Sequence, residues 1–184
     1  MAKSSRSKKA RVLKSRVAYK GPAFCVTADE VLEPSGVRAR RDIVRHGGSV
    51  VVLAVDHSGR VLLERQYRHA ASQYLWELPA GRIDDAEKPL AAAKRELEEE
   101  TGYRAKRWKR VLFFYATPGF VAEPMSVFLA EELTAGLARP EDDEVIYKRL
   151  VPLRRAVQMV MRGTIRDAKT ISGVLWLSHQ RRKK

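Results

Sequence analysis

The chain has 184 residues, of which 32% are charged and 45% apolar, and a formal net charge of +14. These values exclude a wholly disordered or collagen-like chain and fit one ordinary domain with a sizeable core. The longest aliphatic run covers six residues, 50–55, against the about 20 that a membrane-spanning helix requires, so no membrane span is expected.

The charge excess is local. Residues 1–20 carry eight Lys/Arg and no acid, and residues 181–184 are four more bases, whereas residues 21–180 hold 24 bases against 22 acids. Residues 1–11 therefore read as a basic, disordered tail and 181–184 as a second basic tail. Such tails can contact nucleic-acid phosphates. With Tyr19 the only aromatic among those bases, a nucleic-acid partner is not the reading adopted. No apolar stretch follows the basic start, so no secretory signal is expected. The single cysteine, Cys25, leaves no intrachain disulfide and no cysteine-built zinc site. Together these predict a cytoplasmic, reducing location.

In chain order, residues 12–19, 23–32 and 37–46 are rich in β-branched and aromatic residues and predict strands. Pro34-Ser35-Gly36 predicts a hairpin turn between the second and third. This is an N-terminal antiparallel β subdomain, 12–46. Residues 49–55 predict a strand buried on both faces, 56–59 a turn, 60–67 a further strand and 75–78 a short one. Pro89 suits the first turn of a helix, 90–101 is rich in helix formers, and Gly102 suits the position that ends it. Strands follow at 107–117 and 125–133, then a polar loop over 135–143 and a last strand at 145–151. Helices are predicted at 152–161 and 167–180. The order predicts an α/β (α+β) chain, with residues 47–180 forming the main domain.

The helix over 90–101 carries the chemistry. Glu96, Glu99 and Glu100 stand at i, i+3 and i+4 and share one face. Each like-charge pair costs ~0.2–0.5 kcal/mol, and the helix dipole makes the C-terminal end unfavourable for carboxylates. A divalent cation removes that penalty, and all-oxygen ligands select a hard ion, Mg²⁺ or Mn²⁺. Glu98 points away and reads as solvated, and Leu90 and Leu97 read as the buried side. Arg95 can hold the carboxylates in register, and Gly81 is expected to allow a sharp turn before the helix.

Read outward, the pattern is Gly81, five residues, Glu87, seven residues, then Arg95-Glu96-Leu97-Glu98-Glu99-Glu100-Thr101-Gly102-Tyr103. This resembles the signature of the Nudix hydrolases at every fixed position, with Tyr103 where an aliphatic residue is usual. Arg65-Gln66-Tyr67-Arg68, Trp76-Glu77-Leu78-Pro79-Ala80-Gly81, Arg40-Arg41-Asp42 and Pro118, 16 residues after Gly102, look like the ADP-ribose pyrophosphatase subfamily.

The resemblance implies a mixed sheet sandwiched between helices. It implies metal-dependent hydrolysis of a nucleoside diphosphate derivative, ADP-ribose to AMP and ribose 5-phosphate. It gives Glu96 and Glu100 as principal metal ligands, assisted by Glu99 and the Ala80 carbonyl, with Glu87 bracing the loop. Glu99 and Arg95 are also counted with the catalytic residues. Asp142 falls at the general-base position, with Glu141 or Glu144 open as substitutes, and Glu144, two residues later, is counted with the catalytic residues and as a possible metal ligand. Arg41, Arg68, Arg82, Thr117, Pro118, Gly119 and Glu123 are the implied substrate contacts, and Trp76 or Phe120 could stack on adenine. A homodimer through the N-terminal strands is implied too, and residues 12–46 are also consistent with a monomeric N-terminal subdomain. Two other readings stay open: another nucleotide sugar such as GDP-mannose, or a dinucleotide, as substrate; and a nucleotide- or RNA-binding module with basic tails. Cys25 is expected to be a buried strand residue.

Overall fold

The computed structural model describes residues 9–139 and 145–182. Eleven strands and three α-helices are found among them, and they divide into two compact units.

The first unit comprises Met1–Gly47 and Thr117–Glu123. Its sheet has the order β1-β2-β3-β9, with β1 Arg11–Lys20, β2 Cys25–Leu32, β3 Arg38–Arg45 and β9 Val121–Ala122. The first three strands form an antiparallel meander. The turn at Pro34–Gly36 closes it: Val37 O accepts from Glu33 N at 2.9 Å, and Gly36 takes φ +87°, a conformation that glycine adopts without strain. The short β9, not expected from sequence, pairs in parallel with β3 at Val44 and Val121. Two residues are too few to leave a periodic signature. Every residue of β1 is exposed, including Val12, Leu13, Val17 and Tyr19. Cys25 is half-buried rather than buried, because it sits at the end of β2 opposite the terminal residue of β1.

The second unit comprises Gly48–Ala116 and Pro124–Lys184. Its mixed sheet has the order β7-β4-β10-β8, with β4 Ser49–Ala54, β7 Ala80–Arg82, β8 Arg104–Tyr115 and β10 Pro124–Thr134. A second sheet, β11-β5-β6, joins β5 Arg60–Arg68, β6 Gln73–Glu77 and β11 Tyr147–Pro152. All six residues of β4 are buried, and their alternation sorts them into two cores. Val51 and Leu53 pack with Ala156, Met159, Ile165, Val174 and Leu177 of the C-terminal helical segment. Val50, Val52 and Ala54 pack with Ala92, Ala93 and Leu97 of α1, Pro89–Thr101. The strand is thus sandwiched between α1 on one face and α2 (Leu153–Met161) and α3 (Ala168–Arg182) on the other. The period-two rule for strands explains why a continuous apolar run serves both.

The helix begins at Pro89 and ends at Gly102, which takes φ 73° and returns its N–H to Glu98 O at 2.8 Å. Leu90, expected on the buried side, is exposed. It is the second residue of the helix, while Leu97 is fully buried one face-repeat later. No helix among the described residues is long and apolar enough to cross a membrane.

Candidate active site

The acidic face of α1 is organised by one guanidinium. Arg95 donates from Nε to Glu87 Oε1 at 3.2 Å and from NH2 to Glu87 Oε2 at 3.1 Å, a fork on a single carboxylate. Its NH1 donates to Glu96 Oε1 at 2.8 Å and Glu99 Oε2 at 3.0 Å. The remaining NH2 hydrogen reaches the carbonyl of Arg82 at 3.0 Å. All five guanidinium donors are therefore used. Hydrogen bonding to the Glu87 carboxylate is the largest influence, and it holds Arg95 charged well above the ordinary guanidinium range. Reciprocally, Arg95 holds the Glu87 carboxyl below its ordinary range, against a smaller effect of burial and with help from the Asp84 N–H at 3.2 Å.

Glu100 is buried at the last turn of α1, and its Oε2 accepts from the Ala80 N–H at 3.1 Å. That bond ties the end of the helix to β7. Gly81 lies beside it. Its φ is not left-handed, so the expected sharp turn is not what the position requires. A Cβ built there would fall on the Glu96 carboxylate. The glycine is needed for close approach, and Glu96 occupies the space that a side chain would take. Glu98 points away, as expected, and pairs with the exposed Arg104. Tyr103 packs half-buried in the α1 core cluster.

The donor set fits a hard divalent cation in kind: three carboxylates and a backbone strand at one helix end. In this arrangement the carboxylates of Glu96 and Glu99 are turned onto Arg95. Among the described residues no three acidic, His or Cys side chains converge as a ready metal cage. Electrostatics explains the difference, since Arg95 is the positive charge within reach of both carboxylates. Asp142 and Glu144, with Glu141, lie outside the described residues.

Arg68 ends β5 and grips the buried Glu77 of β6 by a fork, Nε to Oε1 at 2.9 Å and NH2 to Oε2 at 3.0 Å. Lys169 of α3 bonds the same Oε2. Burial pushes the Glu77 carboxyl up, but the two cations outweigh it and hold the group below its ordinary range. Burial likewise opposes the charge of Arg68, and Glu77 outweighs that, with Glu100 near enough to contribute. Sequence reasoning named Arg68 and missed its partners. The signal was present in Glu77, an acid that follows Leu75 and Trp76 and precedes Leu78. Lys169, 92 residues away, left none.

The other candidates are placed as follows. The Arg82 carbonyl is engaged by Arg95, and its side chain is exposed. Trp76 packs against the core cluster rather than standing free. In the first unit, Arg41 pairs with Glu33 at 2.6 Å. Thr117, Pro118 and Gly119 form a turn in which the Thr117 carbonyl accepts from Val121 N at 3.0 Å. Phe120 is exposed, and Glu123 lies 3.7 Å from His46 Nδ1.

A model of the NUDIX domain matches residues 45–172. The chain is 37% identical over 161 residues to an ADP-ribose pyrophosphatase of Bacillus subtilis (strain 168), covering 86% of this chain and 87% of the other. An ADP-ribose pyrophosphatase of Mycobacterium tuberculosis is 36% identical over 167 residues, 89% of this chain and 80% of the other. A GDP-mannose pyrophosphatase of Cronobacter sakazakii is 36% identical over 153 residues, 78% of each chain. Among solved structures, that of an ADP compounds hydrolase superposes with a TM-score of 0.83 at 20% identity over 98% of each chain. At that identity it establishes the fold.

Proposed function

The chain belongs to the Nudix family, and on that premise we propose that it is a hydrolase that splits ADP-ribose into AMP and ribose 5-phosphate. The observation that carries the reading is the assembly of Glu87, Glu96 and Glu99 around Arg95, with Glu100 bonded to the Ala80 N–H. The substrate follows the named activity of the relatives that are 36–37% identical to this chain.

Glu96, Glu99, Glu100 and the Ala80 carbonyl would hold Mg²⁺ or Mn²⁺, with Glu144 as a further ligand. Such an ion supplies charge to the pyrophosphate oxygens and a more acidic water. Arg95 keeps the carboxylates together, and Arg68 offers its outer guanidinium edge to phosphate. Asp142 takes the proton from the attacking water, with Glu141 and Glu144 as the neighbouring acids that could replace it. For Arg41, Arg82, Thr117, Pro118, Gly119 and Glu123 the reading as substrate contacts rests on the family resemblance. The exposed β1 supports a homodimer through the N-terminal strands, since Val12, Leu13, Val17 and Tyr19 all stay exposed among the described residues. The cytoplasm is the proposed location.

The test is AMP release from ADP-ribose with Mg²⁺, with GDP-mannose alongside. The second substrate is included because a GDP-mannose pyrophosphatase is nearly as similar. Preferential ADP-ribose turnover that is lost in Glu100→Gln, with the fold intact, supports the proposal. A preference for GDP-mannose overturns the substrate, and full activity in Glu100→Gln overturns the metal site. Asp142→Asn is expected to lower kcat by ~10²–10⁴-fold, and a loss below about tenfold would move the base to Glu141 or Glu144.

A further inference from the structure

Arg68 does not stand alone at the end of β5. Its Nε and NH2 are fixed on the two oxygens of Glu77. The Glu77 side chain is only 3% exposed, and Lys169, 11% exposed, closes on it from α3. Lys169 also pairs with Asp167 Oδ1 at 2.9 Å. Asp167 in turn accepts from Thr170 N at 2.9 Å and Thr170 Oγ1 at 2.6 Å, capping the start of α3. The Thr170 hydroxyl oxygen accepts from Leu78 N at 2.7 Å, the residue after Glu77. The chain of contacts thus runs from the α3 N-terminus through Lys169 and Glu77 to Arg68. Charges balance along it, two acids against two bases.

This arrangement leaves one edge of Arg68 for a ligand. NH1 makes no hydrogen bond among the described residues, and the side chain is 39% exposed. A guanidinium held by two of its nitrogens on a buried carboxylate has lost most of its rotational freedom, so its free edge points one way before any ligand arrives.

We propose that Glu77, braced by Lys169, is the positioning residue that presets the free edge of Arg68 for the diphosphate of the substrate. The proposal rests on the reading of Arg68 as a phosphate contact. Charge alone would act in the opposite sense, because an acid beside Arg68 weakens its attraction for anions. Orientation and charge are therefore separable by experiment.

The experiment is a double-mutant cycle on the full chain, with ADP as probe and EDTA present so that no metal-dependent turnover occurs. ADP affinity is measured by titration calorimetry for wild type, Arg68→Gln, Glu77→Gln and the double variant. Each single substitution is expected to weaken ADP roughly tenfold, the scale of one lost charge-assisted bond. The double variant should lose no more than about twofold beyond Arg68→Gln, because Glu77 acts through Arg68. Glu77→Asp, which keeps the charge on a shorter arm, serves the same cycle if Glu77→Gln does not fold, and should give an intermediate loss. Unchanged or tighter ADP binding in Glu77→Gln overturns the proposal. So does an additive loss in the double variant, or a wild-type chain that does not bind ADP. Wild-type ADP-ribose turnover with Mg²⁺ is measured separately: its absence beside an intact coupling removes the proposed activity and leaves the positioning role.

Discussion

Arg95 and Glu87 face each other fork to fork, Nε to Oε1 at 3.2 Å and NH2 to Oε2 at 3.1 Å, across the loop that joins β7 to α1. Seven residues separate them in sequence, so the pair fixes the path of the loop as well as the charge of the helix face. The same guanidinium holds Glu96, Glu99 and the Arg82 carbonyl. One side chain thereby sets the spacing of the proposed metal ligands.

Arg95→Lys should therefore be a poor substitute despite its charge. Lysine carries three donors on one nitrogen and cannot fork to a carboxylate while reaching two others. We expect kcat to fall at least about a hundredfold, with the Mg²⁺ needed for half-maximal activity rising, since several preorganised contacts are lost together. Steady-state kinetics over a Mg²⁺ series checks this. Near-wild-type kcat in the lysine variant would show that charge alone suffices.

Gly81→Ala separates metal binding from folding. The added methyl would meet the Glu96 carboxylate, the far end of a flexible side chain. The fold can move that end aside at small cost, but the carboxylate then leaves its place beside β7. The expected outcome is a melting temperature within about 2 °C of wild type, the shift of less than 1 kcal/mol in a chain of this size, together with a roughly tenfold higher Mg²⁺ requirement, the equivalent of one weakened ligand. An unchanged Mg²⁺ requirement would remove Glu96 from the ligand set.

Gly102→Ala should do the reverse. Gly102 takes φ 73° at the end of α1, and a Cβ there would meet backbone atoms of Gly136, Leu137 and Ala138 rather than a movable side-chain end. The left-handed conformation alone costs roughly 1 kcal/mol for a non-glycine residue, and the backbone contact adds to it. A drop of at least about 3 °C in melting temperature is expected for this chain length, read by circular dichroism. An unaltered melting temperature would mean that the loop over 135–139 yields freely.

These contrasts show what the sequence could and could not convey. The buried β4, the limits of α1 and its cap at Gly102 were legible because each rests on local chemistry: an unbroken apolar run, a proline at the first turn, a glycine at the stop. The acidic face was legible for the same reason, since i, i+3 and i+4 spacing places Glu96, Glu99 and Glu100 together. The purpose of Gly81 was not, because the atom it makes room for belongs to Glu96 on another element. The two-residue β9 and the Glu77–Lys169 pair escaped for a related reason. Both depend on partners distant in sequence, and neither residue pattern repeats.

The acid limb of stability should carry the signature of Glu87. In the folded chain Arg95 holds its carboxyl below the ordinary value of 4.5. A carboxylate whose folded value is depressed binds fewer protons when folded than when unfolded, so its contribution is present in full above the unfolded value and is lost as pH falls through the folded one. The pair should thus support the fold throughout the neutral range and fail on acidification below the ordinary carboxylate range. Asp29, lowered chiefly by the Ser15 hydroxyl, behaves in the same direction in the first unit. Glu87→Gln removes one of these depressed groups. Its melting temperature should lie below wild type at pH 7, and the gap should narrow as pH falls below the ordinary carboxylate value of 4.5, where the unfolded chain takes up the proton first and the folded chain only at lower pH. Melting curves of both proteins from pH 7 to pH 3 give the comparison. A gap that stays constant across that range would show that the Arg95–Glu87 contact contributes through packing rather than through charge.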